Sequence, residues 1–285
     1  MSWIEDYNAL REDIHTGYIY EAIEAILYLR AHEEIPADEQ WRFSEMMGAC
    51  CGALADTEGA IAAYFEAATE DERLCLQREH FSRYLYFCHA AAQLTPKELQ
   101  PQFAMCASLY QREEPLPPRA SVHHARLRIG FLAPQFDHTA FYSALAVHLT
   151  EQYDVYAYAL TDRTNAPASW AAAGVHTAVF AQGTPQEQAE RICADEIDIL
   201  IDLGGHRDGG ATLPVLALRP APVQMAGLDA ASTTGMPFVD GFLTDELLSP
   251  AGTEEFYSEE LLRLPHAFHF TPDEAMCTRA VAERP

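Results

Sequence analysis

The chain has 285 residues, 49% apolar and 21% charged, enough to bury a core of ordinary density in one large or two medium domains and too apolar for a disordered or fibrous chain. Lys and Arg total 18 against 43 Asp and Glu, a formal net charge of −25, so nucleic acid and anionic membranes meet repulsion where they need a counterion-releasing attraction. Lys97 is the only lysine and sits in a Thr-Pro-Lys-Glu turn, which excludes a Walker-type phosphate loop, whose lysine must follow a glycine-rich run.

The opening Met-Ser-Trp-Ile-Glu-Asp lacks a basic stretch followed by an apolar one, and no later run approaches the roughly 18 apolar residues of a membrane span. These features predict a cytoplasmic protein with neither a membrane nor a nucleic-acid partner. Cysteines 50, 51, 75, 88, 106, 193 and 277 form no Cys-x-x-Cys pair and sit mostly in apolar helical context, so they read as reduced core thiols.

Residues 1–111 carry almost no strand signal, and stretches such as Tyr20 to Leu29 repeat apolar residues at three and four, which predicts an all-helical region. Between Trp41 and Ala68 two helical segments meet at Asp56-Thr57. Gly48, Ala60, Tyr64 and Ala67 fall there at tetratricopeptide-repeat offsets, a pattern that a generic helical hairpin also reaches. Residues 112–126, with prolines, charges and a His-His pair but no period, read as a linker.

From 127 to 285 the pattern changes class. Leu127 to Leu132, Tyr153 to Ala159, Val175 to Phe180, Ile197 to Leu203, Val223 to Ala226 and Phe242 to Thr244 are strand-like. Helical patterns stand between several of them, including Pro185 to Ala194 capped by Thr184 and Thr212 to Arg219. The alternation predicts an α/β lobe of Rossmann-like, doubly wound type with a parallel sheet, whose ligands bind beyond the carboxyl ends of the strands.

Two loops at those ends hold a histidine: Gln135-Phe-Asp-His138 and Gly204-Gly-His206. Each is a candidate general base or phosphate donor, because imidazole titrates near neutrality, and each is equally readable as a polar loop residue bonded to backbone. Ser232-Thr-Thr-Gly235 offers hydroxyls past another strand, or an ordinary turn. Gly-x-Gly-x-x-Gly, Gly-x-Ser-x-Gly and His-Glu-x-x-His are absent from the sequence, which weighs against a standard dinucleotide fold, an esterase and a zinc protease. His266 and His269 stand three apart with Cys277 near, but the strand-like Phe-His-Phe points the two histidines away from a common face, so a zinc site is not expected.

Leu127-Arg-Ile-Gly-Phe-Leu-Ala-Pro, Phe136-x-His138, Ile197-Asp-Ile-Leu-Ile-Asp-Leu-x-Gly-His206, Leu218-Arg-Pro-Ala-Pro-Val-Gln224, Thr233-Thr-Gly235, Thr244-Asp245, and Tyr257-Ser-Glu with Arg263-Leu-Pro265 occur in one order. In that order they resemble bacterial O-GlcNAc transferase-like proteins. The resemblance implies the first lobe of a glycosyltransferase of the B type behind a helical repeat region. It further implies transfer of N-acetylglucosamine from UDP-GlcNAc to Ser or Thr hydroxyls, with no metal or other cofactor. His138 becomes the candidate catalytic residue. His206, Arg207, Gln224, Thr233 and Thr234 become candidate substrate-binding residues, and the helical region the receiver of a polypeptide acceptor. The family's second lobe, which holds most of the nucleotide site, is expected from a missing C-terminal segment or a second subunit, leaving this chain alone inactive. Departures from the family pattern around His138, His206 and Gly227 to Gly235 support the alternative of a non-catalytic binding or regulatory subunit with a degenerate lobe.

Overall fold

The computed structural model describes residues 3–32, 35–118, 124–136, 143–162, 166–180, 182–228 and 232–265. The chain divides into two compact units, Met1–Arg112 with His206–Ala211, and Glu113–Gly205 with Thr212–Pro285. The sequence alone grouped 206–211 with the sheet; their contacts group them with the helices.

The helical unit runs α1 Trp3–Thr16, α2 Ile19–His32, α3 Trp41–Ala53, α4 Thr57–Glu70, α5 Leu74–Ala90 and α6 Pro96–Ser108. Asp56 starts α4 by accepting the Gly59 N–H at 3.0 Å. A reciprocal Thr95–Glu98 capping box starts α6, with Pro96 in the first turn. Close packing of α3 on α4 depends on Gly48, where a Cβ would lie 2.9 Å from the Tyr64 ring, so the small residue and the aromatic are one packing device. Tyr7, Ile26, Phe43 and Cys50 form the core of the first three helices.

The second unit follows the order β1 Arg128–Ala133, α7 Ser143–Leu149, β2 Asp154–Ala159, α8 Ala168–Ala173, β3 His176–Val179, α9 Pro185–Ala194, β4 Ile199–Asp202, α10 Leu213–Ala217, β5 Val223–Gly227, β6 Gly241–Thr244 and β7 Glu260–Arg263. All strand pairs are parallel, and the sheet order is β3-β2-β1-β4-β5-β6-β7. Each predicted strand run contains one of β1 to β6 or overlaps it, and Thr184 caps α9 through a second capping box with Glu187. The seventh strand lies in a segment that the sequence offered only as part of a motif. It is a half-exposed edge strand, without the continuous apolar run that marked β1 and β4. Phe131, Phe136, Val155, Trp170 and Ile201 fill one face of the sheet. Among the described residues no helix is long and apolar enough to cross a membrane.

Candidate functional site

The chain leaves β1 towards β2 and β3, then returns to place β4 on the other side of β1. That reversal opens the ligand crevice of a doubly wound sheet beyond the carboxyl ends of β1 and β4. Pro134, Gln135 and Phe136 follow β1, and Phe136 is anchored edge-on against Trp170 with ring centroids 5.0 Å apart. Leu203, Gly204 and Gly205 follow β4. The fully buried Asp202 carboxylate shapes this second turn by accepting the N–H groups of Gly204 at 2.9 Å and Gly205 at 2.8 Å.

The two turns approach closely. A Cβ on Gly204 would stand 3.1 Å from Pro134 Cδ and 2.8 Å from Thr212 Oγ1, so only glycine lets the backbone pass. Thr161, just past β2, joins the same corner by donating its N–H to Pro134 O at 3.0 Å. The hydroxyl oxygens of Thr161 and Thr212 are both buried, and neither has a hydrogen-bond partner among the described residues. An unpaired buried hydroxyl costs about 1–3 kcal/mol, so two beside one proline mark a place where a bound polar group or water would be stabilised. Sequence reasoning missed both threonines; their one signal was their position past a strand and ahead of a short helix.

The structure disperses the residues that the sequence singled out. His138 lies outside the described residues, as do His266, His269 and Cys277. His206 belongs to the helical unit and is 5% exposed, with Nδ1 3.1 Å from Ser82 Oγ, and Arg207 follows it there, with Nε 3.8 Å from Asp208.

Gln224, near the start of β5, is fully buried, and its Nε2 donates to Leu216 O at 2.9 Å and Phe238 O at 2.8 Å, while its Oε1 accepts no hydrogen bond from the described residues. Arg219 of the same Arg-Pro-Ala-Pro-Val-Gln run donates to the Asp240 carboxylate at 3.0 and 3.1 Å, and Asp240 in turn accepts the Gln224 N–H at 2.8 Å. This motif therefore fastens the turn before β5 to the start of β6.

Thr233 and Thr234 are bound to the Glu259 carboxylate, Thr233 by its hydroxyl at 2.6 Å and Thr234 by its N–H at 2.7 Å and also by its hydroxyl. Glu259 immediately precedes β7, so both threonines sit beside the start of that strand and not beyond a carboxyl end. Thr233 and Thr234 are thus held by a carboxylate at the start of β7, while His206 follows the turn past the carboxyl end of β4 and is engaged by Ser82.

At the opposite end of β4, His124 lies between two carboxylates, with Nδ1 2.9 Å from Asp198 and Nε2 3.0 Å from Glu196. The hydrogen bond to Glu196, then that to Asp198, raises its pKa above the ordinary 6.5.

The sequence profile of glycosyl transferase family 41 matches residues 103–284, more than half of the chain. The chain is 33% identical over 166 residues to the UDP-N-acetylglucosamine–peptide N-acetylglucosaminyltransferase of Caenorhabditis elegans, covering 56% of this chain and 14% of that one. It is 32% identical over 159 residues to the probable UDP-N-acetylglucosamine–peptide N-acetylglucosaminyltransferase SEC of Arabidopsis thaliana, covering 54% of this chain and 16% of that one. A solved mutant of the Thermobaculum terrenum O-GlcNAc transferase superposes with a TM-score of 0.62 at 23% identity, over 97% of this chain and 61% of that one, a likeness of fold. The chain thus spans about a seventh of these curated relatives and under two thirds of the solved one. The parallel sheet, its β1/β4 switch point and a profile match running through both place the chain in glycosyl transferase family 41.

Proposed function

We propose that the chain is the helical region and acceptor-side lobe of a UDP-N-acetylglucosamine-dependent protein O-glycosyltransferase of the cytoplasm. A second lobe, carried elsewhere, supplies most contacts to uridine and diphosphate. In the reaction the hydroxyl oxygen of an acceptor Ser or Thr bonds to C1 of the sugar, the bond from C1 to the diphosphate oxygen breaks, and UDP leaves. The hydroxyl proton passes to a base, for which His138, two residues beyond Phe136 on the β1 loop, is the candidate. Thr161 and Thr212 join it as candidate contacts to a polar group bound at the same edge. The helical unit, with its tetratricopeptide-like Gly48–Tyr64 packing, receives the polypeptide. Neither a metal nor a further cofactor enters this scheme.

The family match over residues 103–284 carries the reading. A second reading, a non-catalytic binding subunit that keeps the lobe as a docking scaffold, is favoured by the internal engagement of His206, Gln224, Thr233 and Thr234. Isothermal titration of this chain with UDP tests the division of labour. A nucleotide pocket normally encloses about 70–90% of its ligand, so one lobe alone should give no measurable heat at millimolar UDP. A low-micromolar dissociation constant would mean that the nucleotide site is complete here and the assignment of lobes is wrong. In an assembled, active form, His138→Ala should lower transfer about a hundredfold, the usual size of a positioned acid–base contribution. Unchanged turnover in the folded variant would leave His138 without that role.

A further inference from the structure

The segment between β4 and α10 does something that neither the family nor the proposed reaction assigns. Its residues His206–Ala211 group with the helical unit, and α5 is the element they pack against. The His206 imidazole enters between α5 and α6. It reaches the fully buried Ser82 hydroxyl at 3.1 Å and lies 5.6 Å, centroid to centroid, from Phe103. Phe103 also stacks on His89 at 5.4 Å, which is held neutral because burial pushes its pKa down to about 4. Three residues after His206, Gly209 lies against α5 so closely that a Cβ would stand 2.6 Å from Glu79 Cγ and 3.4 Å from Arg83 Nε.

The backbone of the segment is unusual. Asp208, Gly209 and Gly210 are left-handed in succession, with φ of 51°, 71° and 67°, and Gly205 at the entry is left-handed too, at 52°. The residues Arg207–Gly210 form only a single 3-10 turn, and a non-glycine residue at such a φ is strained, so contacts with α5 and α6 help to hold it. Those contacts are specific: one inserted imidazole with a hydroxyl partner and an aromatic neighbour, then one left-handed glycine whose Cβ would press on the Glu79 side chain. This is the grammar of peptide recognition, a side-chain pocket plus a glycine-selective floor.

We propose that residues 206–211 are a tethered ligand of the helical unit, a turn that supplies an imidazole followed by a diglycine and fills a recognition groove on α5 and α6. His206 then serves to seat the turn and does not contact substrate, and the same groove takes a free polypeptide turn of the same chemistry whenever the tethered one is absent.

Hydrogen–deuterium exchange on the full chain tests this. Gly209→Val, blocked by Glu79, and the milder His206→Ala should each raise amide exchange in α5 and α6 by about tenfold or more, leaving exchange in β1 and β2 unchanged. Asp208→Gly, which relieves the left-handed strain at a half-exposed side chain, should keep the protection of the unaltered chain. Adding a synthetic peptide of residues 203–213 at about millimolar concentration, the range a short tether provides, should restore protection to Gly209→Val. Unchanged exchange in α5 in both variants, an equal rise in the sheet, or no rescue by the peptide would each overturn the proposal.

Discussion

Within the sheet unit, the polar groups near the starts of β5, β6 and β7 and those at the carboxyl edge of β1 and β2 have different surroundings. Gln224, Asp240, Thr233, Thr234 and Glu259 hold one another or the backbone through a dense set of hydrogen bonds. Thr161 and Thr212, beside Pro134, bury hydroxyls that bond to nothing among the described residues. Buried polar groups are ordinarily paired, because desolvating an unpaired one costs about 1–3 kcal/mol. Apart from the Gln224 Oε1, the first set is paired and builds the fold, and the second tolerates an energetic deficit where a ligand is expected in this topology. The most distinctive stretch of the sequence, Leu218 to Gln224, falls in the first set, so a motif that identifies a family can be its carpentry and not its chemistry.

The largest effect that would sharpen this contrast is at Glu259. Glu259→Ala removes the acceptor for two threonine hydroxyls and a backbone N–H in a buried setting, and should cost about 3 kcal/mol in urea unfolding. A loss within experimental error would show that these threonines are not fastened. Gln224→Leu should cost less, about 1 kcal/mol. Leu216 O still accepts from Arg219 N and Phe238 O from Arg219 Nη1, and the variant also deletes the Oε1 that has no partner among the described residues. A cost as large as that at Glu259 would mean that the Gln224 side chain carries more than its two donor bonds.

His124 adds a pH dependence at the amino end of β4. Its folded pKa lies above 6.5, so the stability drawn from the imidazolium between Glu196 and Asp198 is fully present below about pH 6.5 and fades as pH rises through the folded value. His124→Gln should flatten that part of the stability–pH profile. If the profile keeps its slope, some other group is responsible.

Much of the fold was legible in the sequence because its signals are local. Short apolar runs such as Ile197 to Leu203 gave the strands, and Thr184 with Glu187 gave a helix start from four residues. The site was legible only as topology: strand order fixes which edge is the ligand edge, and the order follows from alternation of strands and helices. What the sequence could not give is partnership across distance. Nothing near Thr233 announces that Glu259, 26 residues on, takes its hydroxyl, and nothing near His206 announces Ser82, 124 residues earlier. Polar residues after strands look alike in sequence whether they face a ligand or a buried partner such as Glu259 or Ser82. Thr161 and Thr212 were missed for the converse reason, since an unpaired hydroxyl is a property of its surroundings.

The central claim is that the carboxyl edge beside Pro134 is left unfinished, and Thr212→Val tests it most directly. Valine keeps the shape of threonine and removes only the hydroxyl. If that hydroxyl has no partner, unfolding by urea should show no loss of stability or a gain of up to about 1 kcal/mol, the sign opposite to that at Glu259 and Gln224. A loss of about 1 kcal/mol or more would show that Thr212 is already hydrogen-bonded in the free protein, and the distinction between a fastened end and a ligand end of this sheet would fail.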